Sequence, residues 1–520
     1  MRDFQKFTGL LVRSAAVVLA PLFALSANAA VPGITGPAFD LSAAPGFISQ
    51  PDGQSVYSWG YGCQTQPAGS LPAGVPLPST GCPTMQLPGP TLIVNQNDVV
   101  TVTLHNNLPA AAGNTSILFP GFTVTATGGV AGVLTTEAAP AGTVVYHFTA
   151  TTPGTHSYYS GTQSDLQIEM GLFGALIVLP ASAGATPAGY APAAGGPDTC
   201  FALGSTDFRL AAAAYDNPAA CYDREYLFQF SEMDPVIHRQ AEEQVLAGVA
   251  KLNVITDPYK AAYFMINGRS FPDDTDPAYA MQYPSQPYNG NPHMHPGELT
   301  LLRVIGGGRE QHPFHEHGNH VRVLARDGNL LTSATLGSTS LAGPLLFTTT
   351  TTPGLALDGI FQWTAKGLNW DVYGHTAATD TAEPCSPDAN GYYTTGSGAA
   401  LGASNYYEWC ADHKRPLEAH PFGTVGAGGP VTLPDPNIFA NGPWYGGSPY
   451  FGPDATARAV GSTPIPPSGT VANDPGAEAG FAFMWHSHNE REITTNNIFP
   501  GGMMMMMLVD PWVFPIDEAK

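Results

Sequence analysis

His312-Pro313-Phe314-His315-Glu316-His317-Gly318-Asn319-His320 gathers four of the chain's 15 histidines into one short stretch. His293 and His295 lie shortly before it. A second group, Trp485-His486-Ser487-His488, lies near the carboxyl end. Imidazole is the commonest protein ligand for copper, zinc and iron. In an extended segment alternate side chains share a face, so His315 and His317 project together, as do His486 and His488. Two such pairs on adjacent strands or loops place four imidazoles around one point. The plainer alternative is a set of surface histidines or a hydrogen-bonded cluster without metal. Two His-x-His pairs in a chain only 12% charged favour the metal. Glu316 alternates with its neighbours and points away from them. Glu490 and Glu492 are candidate acceptors for ring N–H groups, with a solvated turn as the equal alternative.

Working outward from that stretch, Glu298-Leu-Thr-Leu-Leu-Arg-Val304 alternates as a strand leading in, and Val321-Arg-Val-Leu-Ala325 follows as another. Tyr226-Leu-Phe-Gln-Phe230, Asp358-Gly-Ile-Phe-Gln-Trp363 and Ala482-Phe-Met-Trp485 read likewise. Further upstream, Pro90–Val94, Asp98–Leu104, Val144–Phe148 and the apolar Gly171–Leu179 are strands separated by turn signals. One helix is expected, from Gln240 to Leu252. Met503 to Met507 read as a buried final strand of flexible thioethers, with a copper(I) site as the less favoured reading. Ser487 lacks a Gly-x-Ser-x-Gly elbow, so a hydrolase nucleophile is not indicated.

Composition agrees with an all-β chain. Of 520 residues, 59 are Gly and 49 Pro, and long amphipathic runs are scarce. A net charge of −22 argues against nucleic acid and anionic membranes. Arg2 and Lys6, the apolar Ser14–Ser26 and the Ala27-Asn28-Ala29 cleavage pattern make residues 1–29 a signal peptide. No later stretch is long and apolar enough for a transmembrane helix. The expected location is therefore periplasmic or extracellular. The 6 cysteines belong to an oxidising compartment and allow fifteen connectivities. The simplest pairing is sequential: Cys63 with Cys82, Cys200 with Cys221, and Cys385 with Cys410. Each bridge would contribute roughly 3 kcal/mol.

His312-Pro-Phe-His315-Glu-His317-Gly318 resembles the His-Pro-x-His-x-His-Gly motif of multicopper oxidases, and Trp485-His486-Ser487-His488 resembles the partner His-Cys-His motif. The strand order of residues 85–181 is similar to the first cupredoxin domain of that family, and Tyr263–Pro272 to an Ile-Asn-Gly-Arg segment of its later domains. The resemblance implies tandem cupredoxin-like Greek-key β-sandwiches. The first spans 31–181, a linker 182–220, and the second 221–520, with a loop-rich insertion at about 376–475. It further implies that the first His of the long motif binds type 1 copper and that the next two enter a trinuclear cluster.

The ligand inventory departs from the family. Ser487 stands where the type 1 thiolate belongs, and Glu492 stands near the place of a further His. In the first domain, Ser116–Gly121 and Tyr158–Gly161 occupy the places of two His pairs. The remaining candidate metal ligands are His315, His317, His486 and His488, with His312 and His320 beside them. Copper, in fewer ions than a full oxidase holds, is the implied cofactor, and zinc suits four imidazoles too. In two-domain members the cluster forms between subunits of a trimer, so a homotrimer is the oligomer the resemblance allows. Trimerisation would not restore ligands that every subunit lacks. Two functional classes stay open: an exported copper-dependent oxidoreductase with an incomplete copper set, and a non-catalytic metal-binding or structural protein on the same scaffold.

Overall fold

The computed structural model describes residues 31–71, 81–180, 212–217, 220–222, 224–294, 298–334, 337–363, 447–451, 479–509 and 516. The expected signal peptide, most of the expected linker and insertion, His295, Cys200, Cys385 and Cys410 lie outside the described residues.

Period-two alternation builds the first sandwich. In Val99–Asn106 the side chains of Val100, Val102 and Leu104 are buried while Val99 is exposed and Thr101, Thr103 and His105 are partly so. Thr143–Thr149 pairs antiparallel, setting Val144 opposite Leu104, Tyr146 opposite Val102 and Phe148 opposite Val100. This register puts every apolar side chain on one face, and a slip of one residue would expose them all. The sheet reads Ser55–Cys63, Ala38–Ser49, Val99–Asn106, Thr143–Thr149, Thr125–Gly128. Facing it is a sheet in the order Gly154–Tyr159, Phe173–Leu179, Leu92–Asn95, Gly33–Thr35, Ser70–Leu71. The chain changes sheets at Gly36-Pro37, so one early segment serves both layers. Trp59, Tyr61, Phe119, Tyr146 and Tyr158 fill the space between. Cys63–Cys82 forms the expected disulfide, with Cα atoms 5.7 Å apart.

The second sandwich repeats the plan with larger sheets. One carries Tyr263–Ile266, Arg224–Met233, Leu299–Gly306, Ala356–Gln362, Val321–Arg326 and Asn329–Leu330 in that order. The other carries His293–Met294, Met504–Val509, Ala479–Ser487, His312–Glu316 and Thr348–Thr351. Phe228, Phe230, Phe314, Phe361, Trp485 and Met505 lie in its core. These tandem sandwiches are the cupredoxin-like, all-β fold expected from the sequence.

The helix runs Pro235–Leu246, five residues ahead of the expected start. Asp234 caps it, its carboxylate accepting the Val236 N–H at 2.9 Å, and Pro235 takes the first position. That Asp-Pro signal outranked the run of helix formers. Gly248, at φ +69°, lies just past its end.

The two sandwiches share a buried face. Val31, Ile93, Ala175 and Ile177 pack with Leu227, Ile305 and Ala356. Beside them Arg303 donates to Glu225 at 2.7 Å and to the Thr155 hydroxyl at 3.0 Å, and Thr155 donates on to Asp358 at 2.6 Å. Removing one charge from such a buried set leaves its partner uncompensated, so these contacts fix how the sandwiches meet.

Candidate metal centre

His312–Glu316 pairs antiparallel with Ala479–Ser487, with Phe314 opposite Ser487, His315 opposite His486 and Glu316 opposite Trp485. Residues directly opposite in a sheet point to the same side. Alternation therefore divides both motifs between two faces. Phe314 and Trp485 face the sandwich core, and His312, Glu316 and Ser487 go with them. His315, His317, His486 and His488 go to the other face. Gly318 follows at φ +105°, where a Cβ would lie 3.1 Å from the Phe483 ring. The Trp485 indole N–H donates to the His317 carbonyl at 2.8 Å, anchoring the end of the motif.

On the outer face the rings crowd together. His315 lies 4.5 Å from His317, 5.8 Å from His486 and 4.7 Å from His488, centroid to centroid. His486 lies 5.1 Å from His317 and 5.2 Å from His488. His317 Nε2 and His486 Nε2 are 3.1 Å apart. Burial decreases from His315, at 7% exposure, to His488, which is open to solvent.

Backbone carbonyls set the tautomers. The His486 Nδ1–H donates to the Ser487 carbonyl at 2.8 Å, and His315 Nδ1 donates to the Phe347 carbonyl. Each ring therefore keeps its Nε2 lone pair for another partner, as ligating histidines do. His317 Nε2–H donates to the His486 lone pair, and a metal ion can take that proton's place. Burial, then the neighbouring histidines, pushes the His315 pKa down to about 4 against the carbonyl's opposing pull. Burial likewise lowers that of His486. Both rings are neutral at pH 7, the form that coordinates.

This donor set suits copper(II) or zinc. Two imidazole nitrogens already stand at the separation of adjacent ligands, and two further rings pack against them. Among the described residues no three donors of His, Cys, Asp or Glu converge on one point as the side chains stand, so closing on an ion requires His315 and His488 to turn inward.

The other sequence candidates lie elsewhere. His320 is exposed, its ring 5.5 Å from Phe347, which also touches His315 at 5.7 Å. His293 pairs with Leu508, whereas His486 pairs with Met504. The four-residue offset puts His293 about 13 Å further along the sheet. Met504, opposite His486, shares the face of the imidazoles; Met505, opposite Trp485, enters the core with Met503 and Met507.

His312 belongs to a different constellation, on the core face. Its Nε2 donates to Glu232 Oε2 at 2.9 Å, and its Nδ1 lies 3.0 Å from Glu492 Oε2. The second contact is too oblique to count as a good hydrogen bond. The Ser487 hydroxyl donates to the same Glu492 oxygen at 2.5 Å. Glu492 thus serves Ser487 and His312 rather than the clustered rings, and Glu490 is exposed. Glu232 carried no sequence signal, standing 80 positions before His312.

In the first sandwich, the segments Ser116–Gly121 and Tyr158–Gly161 do meet. Leu118 and Tyr159 exchange backbone hydrogen bonds of 2.8 and 3.3 Å. The Ser116 hydroxyl bonds that of Thr162 at 2.8 Å and accepts the Gly161 N–H at 3.2 Å. Neither segment carries an imidazole.

Residues 83–183 match the family model for multicopper oxidase. No curated protein matches the chain. Among solved structures, the chain is similar to the multicopper oxidase mgLAC, with 15% identity, a TM-score of 0.45 and coverage of 92% of this chain and 87% of that one. It is similar also to a blue copper oxidase from Nitrosomonas europaea, with 15% identity, a TM-score of 0.43 and coverage of 90% and 85%. A copper nitrite reductase from the same organism shows 18% identity and a TM-score of 0.36 over 63% of this chain and 85% of that one.

Proposed function

We propose that this chain, whose residues 83–183 carry the multicopper oxidase signature, is an exported copper-binding protein. Its copper complement is reduced to the ligands of the second sandwich. The observation that carries this reading is the outer face of the paired motifs: four imidazoles from two distant segments, with two Nε2 atoms 3.1 Å apart. On this reading the domains are 31–181 and 221–520, joined by a linker. Among the described residues no helix is long and apolar enough to cross a membrane.

His315, His317, His486 and His488 would hold the ion, with the Phe347 and Ser487 carbonyls fixing two of the rings. Copper bound there supplies one-electron redox chemistry. The chain's own contribution is a set of neutral imidazoles with solvent access at His488. Ser487 supplies a hydroxyl and no thiolate, so electron entry by a type 1 route has no ligand set. The oxidoreductase reading therefore requires the reductant to reach the imidazole face directly. The non-catalytic binding reading draws support from the replaced His pairs of the first sandwich.

Titration with copper(II) followed by metal analysis tests the reading. About one ion per chain should remain bound. His315→Ala or His488→Ala should each remove most of the affinity, while His105→Ala should leave it intact. His105 donates to Asp40 at 2.8 Å on the outer side of the first sandwich. Copper binding that survives both ligand replacements unchanged would make the cluster a family relic. Oxygen uptake by the copper-loaded protein with a one-electron donor then separates the oxidoreductase from the binding protein.

A further inference from the structure

We infer that His312, Glu232 and Glu492 form a metal-free ionic clamp that holds the segment bearing His486 and His488 against the strand bearing His315 and His317. His312 is thus a positioning residue for the metal centre and not one of its ligands. This rests on the metal-binding reading of the four-imidazole face.

The clamp spans the sandwich. Glu232 belongs to Arg224–Met233 in one sheet, His312 begins His312–Glu316 in the other, and Glu492 lies in the turn after Ala479–Ser487. The three side chains are buried, at 0%, 0% and 1% exposure. Two carboxylates this deep need a cation between them, and the His312 imidazolium touches both. Burial alone would discharge that ring. The hydrogen bond to Glu232 and the close charges of Glu232 and Glu492 override it and hold the pKa up to about 9. Glu310, Arg309 and Arg491 are the other charged groups packed around the set.

Each carboxylate is held at its far end. Glu232 Oε1 accepts the backbone N–H of Arg309 at 2.5 Å and of Glu310 at 2.9 Å. Glu492 Oε1 accepts the Asn489 side-chain amide at 2.8 Å, and the Glu492 carbonyl accepts the Met503 N–H at 2.7 Å. The link to the imidazole face is one residue long. Ser487, between His486 and His488, donates its hydroxyl into Glu492 and accepts the Asn489 N–H at 3.1 Å. Its carbonyl orients His486. The His488 N–H donates to the carbonyl of Pro313, the residue after His312, at 2.8 Å. Clamp and ligands thus occupy opposite faces of the same few residues, and neither set can shift alone.

The test measures copper(II) affinity, the number of imidazoles on bound copper by X-ray absorption, and the urea midpoint. It compares the full chain with His312→Gln, Glu492→Gln, Ser487→Ala and, as the ligand control, His486→Ala. His312→Gln and Glu492→Gln should weaken binding about 10- to 100-fold, the usual cost of losing a partner behind the ligands, with the imidazole count unchanged. Ser487→Ala leaves all three charges paired and should weaken binding less. A drop of one imidazole in His312→Gln would make His312 a ligand and overturn the inference. Parental affinity in the folded variants would overturn it too. If His312→Gln does not fold, Ser487→Ala decides, and unchanged affinity there counts against the clamp. A parent chain that binds no copper, with His486→Ala indistinguishable from it, removes the metal-binding reading and the clamp's role together.

Discussion

Glu316 should be a protonated carboxyl at neutral pH, and replacing it by glutamine should stabilise the protein in a pH-dependent way. The side chain lies on the core face between His315 and His317. Oε1 accepts the Thr349 hydroxyl at 2.5 Å, while Oε2 is buried with no partner among the described residues. Burial raises the pKa from 4.5 to about 8, against the smaller opposing effect of the Thr349 hydrogen bond. The folded pKa thus lies above the unfolded one. The contribution is fully present below pH 4.5 and is lost as pH rises through about 8. At 1.36 kcal/mol per pKa unit, keeping the group neutral at pH 7 costs about 3 kcal/mol, and at pH 5 under about 1 kcal/mol.

Glu316→Gln keeps the acceptor for Thr349 and puts an amide where the protonated oxygen stood, so the packing terms nearly cancel. The gain should therefore be about 3 kcal/mol at pH 7 and under about 1 kcal/mol at pH 5. Urea unfolding of metal-free protein with intact disulfides, at half-unit steps from pH 4.5 to 8.5, measures it through the midpoint at unchanged m-value. Parallel stability curves for parent and variant would refute the reasoning, because they would mean that Glu316 takes up no extra proton on folding.

Three other outcomes follow from the same geometry. Copper-loaded protein should lack an intense thiolate-to-copper band in the visible, since Ser487 occupies the place between His486 and His488; a blue preparation would contradict that alignment. In the Glu316→Gln background an alkaline fall in stability should persist, because the contribution of His312 is whole below pH 6.5 and lost as pH rises through about 9, and His312→Gln should abolish it in pH-resolved unfolding. Peptide mapping without reduction should recover Cys63 with Cys82, Cys200 with Cys221 and Cys385 with Cys410. Opening the first of these, which spans 19 positions, should cost about 3 kcal/mol in urea unfolding.

Much of this architecture is legible from alternation alone. The period of two in Val99–Asn106 and Thr143–Thr149 fixes which side chains enter the core, and the same rule separates His315 and His317 from Phe314 and Glu316 in the sequence itself. Register between distant strands is not legible. Nothing in either motif says that His315 pairs with His486 rather than His488; either register turns Ser487 inward, but only this one sets it opposite Phe314. For the same reason His312 is grouped in sequence with the ligands and in space with Glu232, a residue whose importance comes entirely from a contact across the sandwich. The helix starts five residues before the run of helix formers because Asp234-Pro235 caps it there.

The pairing of His317 with His486 joins residues 169 positions apart, and this has a consequence for the order of events in the life of the chain. Each sandwich has an early strand that lies parallel to a later one: Ala38–Ser49 beside Val99–Asn106 in the first, Arg224–Met233 beside Leu299–Gly306 in the second. Contacts of such long sequence separation are slow to form and come after their loops have closed. The two halves of the imidazole face belong to a longer closure still, so a chain still being synthesised holds each His-x-His pair by itself. On the proposed copper-binding reading, metal loading is then the last step of maturation. A metal ion captured earlier by one pair would have to be released or carried into the finished fold.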